Sequence, residues 1–139
     1  MCLFLAKKIY PEEDIKCYKI LYRNKENGRL NSPYFDHYWT IGATDSIDAE
    51  KADLIYNSPL NCDCVYGFCF HTFKRVEEAM LYAEELEHIQ GPWKMVIVEC
   101  TIPKESAYVY IGVVPFDGKF ADGFASQQLR IDKILEEEL

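Results

Sequence analysis

Between residues 62 and 71 four side chains that bind soft metals fall within ten positions: Cys62, Cys64, Cys69 and His71. Thiolate and imidazole suit zinc, which takes four such ligands in a tetrahedron. Structural zinc sites usually join two separated pairs, however. Folding Cys62 and Cys64 back onto Cys69 and His71 needs a hairpin for which the sequence carries no turn signal. Dispersed structural thiols are the plainer reading, and we assign no metal. His71 has a second role open to it. It stands where a strand pattern hands over to a helix pattern, in Tyr66-Gly67-Phe68-Cys69-Phe70-His71-Thr72-Phe73-Lys74. Backbone N–H groups at a helix start attract anions, and Thr72, Lys74 and Arg75 add a hydroxyl and two cations there. The plainer alternative is a histidine bonded to a neighbouring strand. Lys19 is a charge inside an apolar strand. Its stem either snorkels to the sheet edge or carries the ammonium into a cleft as an anion ligand. Cys2, exposed by removal of Met1, could act as a nucleophile with its own amine as base, although a buried apolar start is simpler. His37 and His88 read as surface residues.

These groups need a scaffold, and the hydrophobic pattern supplies one. Residues 15–23 form a strand with Ile15, Cys17, Lys19 and Leu21 on one face and Tyr18, Ile20 and Tyr22 on the other. Both faces are partly apolar, which places the strand centrally. Further strands are expected at 34–41, 64–71, 94–102, 107–114 and 128–135, and 2–6 is either a short first strand or an arm laid over the core. The segment 43–60 is polar and reads as an irregular excursion with one helical turn near 49–54. The turn signals Asp117-Gly118 and Asp122-Gly123 mark a loop before the last strand. Val76, Ala79, Met80, Ala83, Leu86 and Ile89 recur at helical spacing, so the main helix is expected over about 75–89, stopped by Gly91-Pro92. The sum is one α+β domain over 1–139: a mostly antiparallel sheet of six or seven strands, one main helix packed on it, and an acidic tail at 136–139.

Composition narrows the function. The chain has 139 residues, 49% hydrophobic and 27% charged, with ten Tyr and eight Phe. Its formal net charge of -8 excludes a general binder of duplex nucleic acid, which would carry excess Lys and Arg. Residues 1–30 nevertheless hold seven basic side chains against four acidic ones, enough for a local anion pocket. The opening apolar run is too short for the core of a signal peptide, and no stretch reaches the length of a membrane span. We therefore expect a cytoplasmic protein whose six cysteines are reduced. No Gly-rich phosphate loop, nucleophile elbow or paired zinc-binding histidine motif is present.

The order of short motifs carries a resemblance. Cys17-Tyr18-Lys19-Ile20 is followed by Ser32-Pro33-Tyr34, Trp39-x-x-Gly42, Gly67-Phe68-x-x-His71-x-Phe73, Glu77-Glu78-Ala79-Met80, Val98-Glu99-Cys100-Thr101-Ile102-Pro103-Lys104 and Phe124-Ala125-Ser126-Gln127-Gln128-Leu129-Arg130-Ile131. Over residues 15–131 this resembles small uncharacterised proteins of bacteriophages and gut-type bacteria, with Cys69-Phe70 inserted into their Gly-Phe-His. The layout is also distantly similar to ADP-ribosyltransferase-like domains. That resemblance implies a late glutamate where this chain has Ser126-Gln127-Gln128, and a first-strand ribose contact where it has Lys19.

The leading expectation is a non-enzymatic domain for a small anionic, nucleotide-like ligand, without a cofactor. Lys19, Tyr34, Trp39, His71, Thr72 and Lys74 would line its site, aromatic faces stacking a base and cations meeting phosphate. The phage resemblance implies sequestration of a host signalling nucleotide. One alternative is an ADP-ribosyltransferase-like enzyme on NAD, with Glu99 or Glu105 replacing the missing glutamate. The other is an acidic module that contacts a basic protein through residues 77–87 and the tail. A homo-oligomer stays open.

Overall fold

Ten consecutive antiparallel pairs, from Ile15↔Ile102 to Asn24↔Trp93, join two of the most apolar runs of the chain. The computed structural model describes residues 3–9, 11–32, 37–46, 56–57, 63–65, 70–85, 92–104, 106, 108–113 and 121–135. In order they form β1 (Leu3–Ile9), β2 (Ile15–Asn24), β3 (Leu30–Asn31), β4 (Tyr38–Trp39), β5 (Thr44–Ser46), β6 (Tyr56–Asn57), β7 (Asp63–Val65), β8 (Phe70–Phe73), α1 (Val76–Glu85), β9 (Trp93–Ile102), β10 (Tyr108–Val113), β11 (Ala121–Ser126) and β12 (Gln128–Ile134). The expected α+β class holds. The strand count rises from six or seven to twelve, because five strands (β3 to β7) are only two or three residues long.

The antiparallel sheet runs β5-β12-β9-β2-β8-β11-β10-β1-β7-β6, with β3 attached to β2 and β4 to β3. Only Gln127 separates β11 from β12, yet β8, β2 and β9 lie between them in the sheet. Two residues of extended chain reach about 7 Å, whereas four interstrand steps on a flat sheet would need about 19 Å. The sheet therefore curls. No ladder joins β11 to β12 among the described residues, so the curl is not a closed barrel.

Curling gives the sheet an inside and an outside. Inside, Cys17, Leu21, Phe70, Val96, Val98, Cys100, Ile102, Phe124, Leu129 and Ile131 meet in one cluster, capped by Leu30 and Trp39 from the β3–β4 hairpin. Outside, α1 lays Ala79, Tyr82 and Ala83 on Ile20 and Ile97, with Tyr18 and Phe73 at the margin. The strict alternation of β2 sends Cys17 and Leu21 inward and Tyr18 and Ile20 outward, the division its sequence implies. The loop leaving β2 closes on Gly28 at φ 74, whose N–H donates to the Asn24 carbonyl at 2.8 Å; only glycine takes that backbone without strain.

Several expected boundaries move. The strand at 64–71 is two strands, β7 and β8, with 66–69 outside the described residues. They lie apart because β7 pairs with β1 and β8 with β11 and β2. The strand at 34–41 shortens to β4, with 33–36 outside the described residues, as is the helical turn near 49–54. The segment read as a turn at Asp122-Gly123 is the body of β11: six register pairs to β10 and four to β8 override the local turn signal. The helix starts at Val76, and 86–89 lie outside the described residues. Its inward stripe runs through Tyr82 rather than Met80, because Tyr82 stacks on Phe73 with centroids 5.5 Å apart.

Cys17 and Cys100 face each other directly in the central ladder, both fully buried reduced thiols. Burial pushes the Cys100 thiol well above its ordinary value, and the neighbouring Cys17 thiol adds to the effect. Cys100 cannot ionise without opening the core. In the native protein both should react with a maleimide at least about a thousandfold more slowly than after unfolding. Peptide mapping by mass spectrometry reads this directly, and rapid native labelling at either position would contradict the core as described.

Candidate functional site

Among the described residues β2 pairs with β8 at one position, Tyr18↔Phe73. One residue further along each strand, Lys19 and Thr72 turn to the inside of the curl, where the strands fork. Lys19 Nζ crosses the fork and donates to the His71 carbonyl at 2.8 Å. The ladder would otherwise have continued through that carbonyl. Lys19 is 8% exposed, a charged side chain on the same face as Cys17 and Leu21 of the inner cluster.

Beside it lie two buried hydroxyls. Thr72 is 2% exposed and Ser126 0%, and neither Oγ1 of Thr72 nor Oγ of Ser126 has a hydrogen-bond partner among the described residues. The register Thr72↔Phe124 and Phe70↔Ser126 puts both on the inner face, as diagonal neighbours. Diagonal Cβ atoms stand about 7 Å apart, a span that one phosphate group bridges. An orphaned buried hydroxyl costs about 1–3 kcal/mol. The inner face thus holds a cation and two unsatisfied donors together, which is what an oxyanion requires.

His71 contributes to this arrangement through its backbone. Its side chain alternates to the outer face with Phe73. Burial, reinforced by the Lys19 cation, pulls its imidazole down to about 4. At neutral pH His71 is therefore uncharged, and the local positive charge belongs to Lys19. The helix start is a poorer anion site than its backbone alone implies. Its first turn carries Glu77 and Glu78, and Arg75 Nη1 is engaged with Glu78 Oε1 at 2.9 Å. Lys74 is exposed just ahead of that turn.

Trp39 is not a stacking platform. It is 5% exposed, its ring packs on Phe70 and His37 with centroids 4.8 and 4.5 Å away, and its Nε1–H donates to Ser32 Oγ at 2.8 Å. Tyr34 lies outside the described residues, as do Glu105, Cys62 and Cys69. Cys64 sits on β7, with β1, β10 and β11 between it and the strand of His71 in the sheet order. Among the described residues no group of three or more His, Cys, Asp or Glu side chains is placed to hold a metal. Glu99, the substitute glutamate, faces outward. There Lys16 at 2.8 Å and Lys133 at 3.3 Å hold its carboxyl below the usual range, the Lys16 hydrogen bond contributing most.

Two groups escaped the sequence reading. Ser126 appeared in it only as the place where a glutamate was missing; an alternating Phe124-x-Ser126 inside a recognised β11 would have turned it inward. His37 is half-buried, its Nε2 2.7 Å from Asp45 Oδ2, and ties the β3–β4 hairpin to the edge strand β5. No spacing rule links residues eight apart in irregular chain, so nothing in the sequence marks that pair. No described helix is long and apolar enough to cross a membrane. Comparison of the chain with family models, curated proteins and solved structures finds no match.

Proposed function

We propose that the chain is a non-enzymatic binding domain for a small anionic, nucleotide-like ligand, whose phosphate is taken on the inside of the curled sheet by Lys19, Thr72 and Ser126. One observation carries the reading: two buried hydroxyls without a hydrogen-bond partner among the described residues share the inner face of the sheet with buried Lys19. A ligand oxyanion would satisfy both hydroxyls and offset the desolvated charge in one step. With Trp39 enclosed, base recognition falls to other side chains, and the phosphate is the part of the ligand this site addresses. Sequestration of a host signalling nucleotide is the biological form the sequence resemblance implies.

The test exploits a sign. Thr72→Val and Ser126→Ala each remove an unsatisfied hydroxyl, so the unliganded variants should be as stable as the parent or slightly more so. The same changes should weaken nucleotide affinity by about tenfold or more, since hydrogen bonds to charged groups contribute about 1.5–3 kcal/mol. Thermal unfolding and calorimetric titration with AMP, ATP, NAD and inorganic phosphate read both quantities. Lys19→Met should abolish binding. A parent protein indifferent to all four probes, or variants that bind like the parent, would refute the assignment.

A further inference from the structure

The outer side of α1 sets exposed apolar side chains among carboxylates. Its last described turn has no basic residue and carries Glu84 and Glu85. Two large apolar side chains stand on the same side, Leu81 at 53% exposed and Met80 at 44%. Among the described residues they join no core cluster, because Ala79, Tyr82 and Ala83 fill the side of α1 that meets Ile20 and Ile97. Helix geometry rings Leu81 with glutamate positions at i−4 (Glu77), i+3 (Glu84) and i+4 (Glu85). Met80 has Glu77 at i−3 and Glu84 at i+4. Glu77 and Glu84 are themselves exposed.

Exposed apolar area and neighbouring carboxylates are both met by one kind of occupant. We propose that this face of α1 docks a basic amphipathic segment of another protein, apolar side chains lying over Met80 and Leu81 while Lys and Arg meet Glu77 and Glu84. Charge complementarity selects that occupant. A second copy of the chain carries the same -8 and would set glutamates against glutamates. An anionic membrane surface is repelled for the same reason. The patch is one helix face wide, so the contact is transient, well below the about 1,200–2,000 Å² of a standard stable interface. Its polar rim makes it sensitive to salt.

The experiment uses the full chain and two synthetic peptides of identical Leu/Lys composition, one ordered as an amphipathic helix and one shuffled to destroy its apolar face. Calorimetry at 50 and 300 mM NaCl should show micromolar binding of the ordered peptide, at least tenfold tighter than the shuffled one and about tenfold weaker at the higher salt. The double variant Met80→Ser, Leu81→Ser should lose at least tenfold in affinity with an unchanged circular dichroism spectrum, all its changes being on the surface. Glu77→Gln with Glu84→Gln should flatten the salt dependence. The control is Glu12→Gln with Glu13→Gln, exposed acids elsewhere on the chain, which should change nothing. Equal binding of both peptides, no binding, or a control as damaging as the α1 variants would each overturn the proposal.

Discussion

Trp39→Ala should lower the free energy of unfolding by about 3–5 kcal/mol, the usual cost of truncating a buried aromatic. Three losses combine at that residue. The indole leaves a void against Phe70 and His37, its nearest ring neighbours. Ser32 Oγ loses its donor in a buried setting. The β3–β4 hairpin loses the side chain that fastens it over the inner cluster. Against a total stability of about 5–15 kcal/mol for a domain of this kind, the variant should be marginal at 37 °C. Trp39→Phe keeps most of the packing and gives up the N–H, so it should cost about 1–2 kcal/mol. Urea unfolding followed by circular dichroism measures both. A cost below about 1 kcal/mol for the alanine variant would show that the hairpin is held by something else.

Acid should destabilise the fold through His71. Its imidazole titrates near 4 in the native protein, held down first by burial and then by the Lys19 cation, against 6.5 for the ordinary side chain. Below 6.5 the unfolded chain takes up a proton that the folded chain refuses, so stability falls with pH across that interval and levels off below 4. The loss between pH 7 and pH 4 amounts to about 3 kcal/mol. His71→Gln should remove this component and flatten the acid limb of the stability profile. The imidazole proton resonance in the parent should shift with a midpoint near 4. A midpoint near 6.5 would show a solvated ring.

Much of this architecture can be read from the chain. The central position of β2 follows from its two apolar faces, and the inward turn of Lys19 follows from alternation with Cys17 and Leu21. The helix, β9, β10 and β12 fall close to where periodicity and proline boundaries put them. What is lost is non-local. Asp122-Gly123 has the composition of a turn and becomes strand because β8 and β10 flank it. Met80 fits the apolar stripe as well as Tyr82 does, and the choice is made by Phe73 on a neighbouring strand. Lys19, His71 and Thr72 were selected by residue type, and the fork between β2 and β8 brings them together. Trp39 was selected the same way and lies in the core, since aromatic composition does not distinguish a platform from a plug.

The one-residue passage from β11 to β12 also governs how the chain can fold. Whichever arm of the sheet assembles first delivers the start of the other arm within about 7 Å of its place, so the loop-closure entropy of bringing the two arms together is already spent. The central β2–β9 ladder has no such help, for its partners are some eighty residues apart in the chain. That pairing, and the still longer-range β1–β10 pairing from Phe4↔Gly112 to Ile9↔Tyr108, are the ones expected to form slowly. Gln127 keeps the ends of the two arms within about 7 Å of each other, so re-forming one arm on the other costs little chain entropy.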